Sequence, residues 1–157
     1  MGFYKDITFD FIDRTLSIIE QYEIVRYEFE EEEQYNHTLL INCLLGIIVM
    51  PKEIIFDQIP KDRLTKTLKE EMGLLTSSVN TSITTLKRLI RDLRHAIAHF
   101  NVEVLQHNNS GQIDQINFKY DDGSYIVQFV PDELLSFIRY YGNWLKSAIR
   151  TQKAKRI

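Results

Sequence analysis

The sequence has a single cysteine and no apolar run as long as a membrane span. Its one cysteine, Cys43, excludes an internal disulfide and lies in the apolar run TLLINCLLGIIVM, where a thiol behaves as a small hydrophobe. That run is about 13 residues long, against the roughly 20 that a membrane helix needs. The first residues, MGFYKDITFDF, do not have the form of a secretory signal. We therefore expect a cytoplasmic protein with no membrane association.

The chain also lacks a net positive charge. The net charge is −3 and the isoelectric point is about 5.8, whereas proteins that bind nucleic acid through their overall field carry a large positive excess. Any nucleic-acid contact must then be local. The sequence has neither a P-loop nor a GxGxxG turn, which excludes the common forms of nucleoside triphosphate chemistry. Internal repeats and low-complexity linkers are missing as well, so a single domain over residues 1–157 is predicted.

Apolar residues at helical spacing predict a mainly α-helical chain. The first helix is amphipathic and covers about 6–27, and the second, about 36–50, is apolar on nearly every side, which predicts a fully buried position at the centre of a bundle. Residues 51–62 hold two of the three prolines and are interpreted as a loop. A short helix is predicted over about 63–74, and the segment SSVNTS at 77–82 offers N-caps for the next helix.

The next helix is predicted to begin near Ser82 and contains the stretch RDLRHAIAHFN at 91–101. At about 100° per residue its side chains divide into an apolar and a polar side. The side predicted to face the core holds Ile83, Leu86, Leu89, Ile90, Leu93, Ala96, Ile97 and Phe100. The side predicted to face solvent holds Lys87, Arg88, Arg91, Asp92, Arg94, His95, Ala98 and His99.

After this helix the spacing of apolar residues changes from helical to alternating. Short strands are predicted on either side of the turn-rich HNNSG at 107–111, and Asp122-Gly123 indicates a type I′ hairpin. A small antiparallel hairpin or meander over about 102–130 is therefore expected before the last helix. The basic tail at about 150–157 is expected to fray.

The polar face of the 91–101 stretch carries groups suited to phosphodiester chemistry. His95 and His99 are one turn apart, as are Arg91 and His95. Histidine can move a proton near neutral pH, and arginine can bind phosphate oxygens and stabilise the charge added in the transition state. In RNA the 2′-hydroxyl is a built-in nucleophile, and its attack leaves a 2′,3′-cyclic phosphate. RNA is therefore the predicted substrate, with no metal or cofactor required.

Two alternatives compete with this hypothesis. Polar helix faces are common, so the charges could simply be solvated. Two histidines at i and i+4 can also share a zinc ion. However, Ala96 stands where the HExxH motif has glutamate, no third ligand is apparent nearby, and Arg91 and Arg94 would repel the cation.

Arg94, four intervening residues and His99, with the polar His95 directly after the arginine, resemble the signature of the HEPN superfamily. The order of segments is similar too. An N-terminal helix, the apolar second helix, the motif helix LIRDLRHAIAHFNVEV, a short β segment and a last helix resemble small stand-alone bacterial HEPN nucleases over nearly the whole chain.

The resemblance implies a bundle of four to five helices that dimerises through the motif helix and brings two Arg–His pairs into one cleft. It also implies a metal-independent endoribonuclease, often a toxin or phage-defence effector with an antitoxin partner. Non-catalytic HEPN domains, which bind RNA, dimerise or dock a partner, are the alternative. The motif residues are Arg94, His99 and His95, with the division of roles between the histidines open. Substrate-binding positions added from their place near the motif are Arg91, Arg88 and Asn101.

Overall fold

The computed structural model describes residues 4–30, 36–49, 53–106 and 113–154. Over these residues the chain is mainly helical, with a small antiparallel sheet, as expected from the sequence. The helices are α1 (Ile7–Val25), followed by a 3-10 turn (Arg26–Glu28), α2 (Asn36–Val49), α3 (Glu53–Phe56), α4 (Lys66–Glu71), α5 (Leu86–Ala98) and α6 (Pro131–Ala154). No helix within the described ranges is long and apolar enough to cross a membrane.

Helices α1, α2, α5 and α6 form the bundle, in which α2 contacts the other three. One side of α2 nevertheless faces solvent, since Thr38, Asn42 and Leu45 are exposed. The prediction of a fully buried helix is wrong for this stripe, because its neighbours leave one side of the helix uncovered. The predicted end at Met50 lies just outside the described residues.

The sheet has four strands: β1 (Ser78–Val79), β2 (Val102–Leu105), β3 (Gln115–Lys119) and β4 (Tyr125–Phe129). Their order is β1-β4-β3-β2, and every neighbouring pair is antiparallel. The predicted meander is thus confirmed as β2-β3-β4, although HNNSG lies outside the described residues. SSVNTS supplies the unexpected strand β1 instead of a helix cap, because Ser78 and Val79 pair with Gln128 and Val127 at the sheet edge.

The turn between β3 and β4 differs from the predicted type. Gly123 donates to the carbonyl of Tyr120 (2.9 Å), Tyr120 donates to that of Ser124 (2.8 Å), and Gly123 has φ +84°. Asp122 is not among the described non-glycine residues with positive φ, whereas a type I′ turn needs positive φ at both central positions. This is a three-residue loop, residues 121–123, with glycine in the left-handed position and Asp121 as its first residue.

Aromatic packing fixes the sheet against the bundle. Phe118 of β3, Phe129 of β4 and Phe137 of α6 are all fully buried, with consecutive ring centroids 5.8 Å and 5.4 Å apart. Burying one such side chain contributes about 1.5–3 kcal/mol. Since β3 also contacts α5, this packing helps to hold the meander against the motif helix.

Two other expectations are corrected. Residues 51–62 are not all loop, because 53–56 form α3, and α4 is shorter than predicted, ending before Gly73 at φ +76°. Helix α6 continues to Ala154, into the basic tail. Lys146 pairs with Asp13, Lys153 pairs with Asp6, and both contacts tie α6 to the start of the chain. Residues 155–157 lie outside the described part.

Candidate functional site

Helix α5 begins later than the sequence suggested. Thr85 is its N-cap, with extended backbone and a side-chain oxygen that accepts from the Arg88 amide at 3.2 Å. Residues 82–84 precede the helix because the backbone between β1 and Thr85 is turned by a hydrogen bond from Ile83 to Asn80 (2.9 Å). The buried face otherwise follows the predicted apolar side, and it packs on α2, β3 and β4.

The C-terminal end of α5 is a Schellman motif. His99 is the C-cap, Phe100 donates to Ile97 (3.1 Å), and the Asn101 amide donates to Ala96 (2.8 Å). Phe100 takes the left-handed position that glycine usually fills, with φ +54°. Its side chain is 78% exposed, so the prediction that it belongs to the core is wrong. The helical periodicity stops at His99, and Phe100 therefore leaves the apolar side.

The two motif histidines lie together at the surface. Both are exposed, as predicted, and their ring centroids are 4.3 Å apart. Asp121, from the β3–β4 turn, lies against them: its Oδ2 is 3.1 Å from His95 Nε2, and its Oδ1 accepts from Asn101 Nδ2 at 2.7 Å. Hydrogen bonds from His95 and Asn101 lower the pKa of Asp121. The carboxylate is thus ionised and accepts from Nε2–H, which leaves His95 Nδ1 as the ring's proton acceptor.

Asp92 is buried, although the sequence placed it on the solvent side. Its Oδ2 accepts from the Tyr120 hydroxyl (2.7 Å) and lies 3.4 Å from Arg88 Nε, and its Oδ1 accepts from Arg91 Nε (3.0 Å). A buried carboxylate needs such partners to offset lost hydration. The Arg91 side chain is 61% exposed. Asp92 therefore holds Arg91 at Nε, while much of the arginine side chain faces solvent.

Arg94 lies on a different side of α5 from His99. Around the helix axis it is about 140° from His99, and the exposed Ala98 lies between them. Arg94 is half-buried and near α6, where its charge opposes the rise in pKa that burial causes at Tyr141. Within the described residues it forms no hydrogen bond or ion pair. One chain therefore does not place Arg94 and His99 on the same side of the helix.

The structure brings most of the predicted site residues together. His95, His99 and Asn101 meet at the end of α5, and Arg88 and Arg91 meet on Asp92. Asp121, Asp92 and Tyr120 are the residues that sequence reasoning missed. The sequence did contain a signal that Asp92 is buried. Asp92 is three residues after Leu89 and four before Ala96, which places it at the border of the apolar side of the helix. For Asp121 no local pattern indicated a contact with His95.

Metal-ligating side chains do not gather at this site. Across the described ranges, no three histidine, cysteine, aspartate or glutamate residues form a group that could hold a metal ion. The acidic residues near the histidines are engaged instead by amide, guanidinium and hydroxyl donors. The exposed imidazoles of His95 and His99 can transfer protons, and the exposed part of Arg91 adds positive charge to the same helix.

Comparison with known families gives one identification. Residues 1–152 match the family HEPN pEK499 p136. The chain therefore belongs to this HEPN family, as its resemblance to HEPN proteins predicted. Neither the curated proteins nor the solved structures contain a significant match to it.

Proposed function

We propose that this HEPN protein is a metal-independent endoribonuclease that cuts RNA by attack of the 2′-hydroxyl on the adjacent phosphorus. The observation that carries the proposal is the exposed His95–His99 pair, with one ring oriented by the ionised Asp121. Enzymes that transfer protons commonly use a histidine with one ring nitrogen hydrogen-bonded to a carboxylate, which leaves the other nitrogen for the reaction. Family membership supports the link to RNA.

The reaction needs one base and one acid. The base removes the 2′-hydroxyl proton, the 2′-oxygen bonds to phosphorus, and the bond from phosphorus to the 5′-oxygen breaks. The acid then protonates the departing 5′-oxygen, which leaves a 2′,3′-cyclic phosphate and a 5′-hydroxyl. His99 is the proposed proton-transfer group, with His95 assisting through Nδ1. Arg94 stabilises the charge on the phosphate, and Arg91 binds a neighbouring one.

We further propose that the active form is a homodimer formed through α5. An in-line displacement needs its base and acid on opposite sides of phosphorus, whereas His95 and His99 of one chain lie side by side. Arg94 faces a different edge of the helix from His99. A second copy of α5, packed over the small Ala98, would supply the missing groups from the opposite side. Each copy would then complete the site of the other.

The proposed setting is the cytoplasm, with the protein acting as a toxin or phage-defence effector. A nuclease that needs no cofactor is active wherever RNA is present, so a cell that makes it would need an antitoxin protein or another means of restraint. The resemblance to stand-alone HEPN nucleases supports this role.

The direct test is cleavage of a mixed RNA pool in EDTA by the purified protein and by the Arg94→Ala and His99→Ala variants. Arg139→Ala, which removes an exposed arginine of α6, is the matched control. We expect cyclic phosphate ends from the wild type and from the control alone. Cleavage that persists in both site variants, or that stops in EDTA, would overturn the mechanism. A wild type that binds RNA and dimerises without cutting it would instead be a non-catalytic HEPN module.

A further inference from the structure

Phe100 has a backbone conformation that folding alone does not explain. Its φ of +54° lies in the left-handed region, where a bulky side chain is a genuine outlier. The Schellman motif that encloses it is made by backbone atoms of residues 96–101, and glycine would close the same motif without strain. Its ring adds little to the core, being 78% exposed. Strain that persists without a packing benefit is typical of functional positions.

The position of Phe100 is fixed by the hydrogen bonds of the next residue, Asn101. The Asn101 amide donates to Ala96 at 2.8 Å, and the Asn101 side chain donates to Asp121 at 2.7 Å. The carbonyl of Asn101 also accepts from the Lys119 amide at 2.9 Å, which ties the residue to the end of β3. These contacts fix the backbone just after Phe100. The Phe100 ring therefore faces solvent from a fixed position, directly beside the C-cap His99.

We propose that Phe100 is a stacking platform for one unpaired nucleobase of the RNA substrate. This inference rests on the proposed function, because it names how that site holds its substrate. Proteins recognise single-stranded RNA by stacking splayed bases on aromatic side chains next to positive charge that binds the backbone. Phe100 supplies the ring beside the proposed proton-transfer histidine. Arg91, anchored on Asp92 about 13 Å back along α5, supplies exposed charge for another phosphate of the same strand. Stacking tolerates any base, so the ring positions the strand without selecting a sequence.

The glycine variant separates this role from a structural one. Phe100→Gly relieves the left-handed strain, so we expect the melting temperature to rise by roughly 2–4 °C. Loss of the stacked base should raise the Kd for single-stranded RNA by roughly tenfold. The RNA used is 2′-O-methylated, which removes the nucleophile and prevents cleavage during the measurement. Leu75→Ala, at another exposed apolar residue, is the control and should change neither quantity.

A second pair of measurements tests the base itself. Phe100→Trp should keep the affinity of the wild type, and its fluorescence should fall when the methylated RNA binds. An oligonucleotide with abasic sites should bind the wild type and Phe100→Gly equally well. Equal affinities of those two proteins for intact RNA would overturn the proposal. So would a shift of Phe100→Gly from dimer to monomer in sedimentation, because the ring would then pack against a second copy.

Failure of the enzyme proposal and failure of this one give different results. If the wild type does not cut RNA, yet Phe100→Trp is quenched by methylated RNA and Phe100→Gly binds it more weakly, the stacking role stands without catalysis. If the wild type cuts RNA and Phe100→Gly cuts it with an unchanged KM, the stacking role is wrong and the nuclease stands.

Discussion

His95 Nε2 lies 3.1 Å from Asp121 Oδ2, and this contact joins the motif helix to the β3–β4 turn. It orients one imidazole and assigns its proton, so that Nδ1 is the nitrogen left to accept another. Asn101 donates to the second oxygen of the same carboxylate at 2.7 Å, which fixes Asp121 in turn. The candidate site is thus shared between a helix end and a hairpin that are distant in sequence.

Removing the charge of Asp121 should impair catalysis without unfolding the protein. Asp121→Asn can present its amide nitrogen to His95 and reverse the tautomer, so we expect kcat for RNA cleavage to fall roughly tenfold or more. Asp122→Asn is the matched control, since that neighbouring carboxylate accepts from Ser124 instead. Rates and melting temperatures of both variants are compared with the wild type. Equal rates for Asp121→Asn and the wild type would exclude an orienting role.

Asp92 should matter for both stability and substrate affinity. Asp92→Ala leaves the Tyr120 hydroxyl and Arg91 without their acceptor, so the free energy of unfolding should fall by about 1–3 kcal/mol. With Arg91 no longer anchored, KM should rise more than kcat falls. Asp57→Ala removes only a surface pair with Lys87 and should cost less than about 1 kcal/mol. Urea unfolding and initial rates measure the two effects, and a KM that stays at the wild-type value would contradict the anchoring role.

Mixed dimers test whether the cleft is shared. Arg94→Ala and His99→Ala should each be inactive alone, but co-refolding them should restore part of the activity, because one pairing of an intact Arg94 with an intact His99 survives across the interface. Two copies of Arg94→Ala refolded together are the control. If the mixture remains inactive although mixed dimers are present, each chain uses its own pair. A chain that sediments as a monomer at micromolar concentration would remove the basis for the shared cleft.

Glu133 should make folding sensitive to acid. Burial opposes its ionisation, but hydrogen bonds from Ser77 and Thr76 outweigh this and lower the pKa of the carboxyl. A group whose pKa is lowered in the folded state contributes stability above its ordinary pKa, and this contribution is lost as pH falls through the folded value. Glu133→Gln should therefore be less stable than the wild type at pH 7, and the difference should shrink below about pH 4.

Melting temperatures measured between pH 3 and 7 test this effect. Glu20→Gln, at an exposed position of α1, is the control and should follow the wild type throughout. A constant difference between Glu133→Gln and the wild type at every pH would show that the carboxylate charge is not the cause.

The long helices were predictable because each one buries a single continuous face. The predicted ranges for α1 and α2 agree with the described helices to within a few residues, since apolar residues at helical spacing over several turns are a strong local signal. Strand β1 was not predicted, because two residues carry no period and gain their strand geometry only by pairing with β4. The left-handed backbone of Phe100 was missed for a related reason, since it depends on where the helix ends.

The sequence by itself determined which side of α5 is buried, the exposure of His95 and His99, and the Arg94–His99 spacing on which the resemblance to HEPN proteins was based. These are local properties of one helix, set by a repeat of about 3.6 residues. Only the tertiary structure decided which groups complete the site. Asp121 meets His95 across 26 residues, and Tyr120 meets Asp92 across 28. Such contacts depend on how the β3–β4 hairpin packs against α5, and no periodicity within either segment encodes that packing.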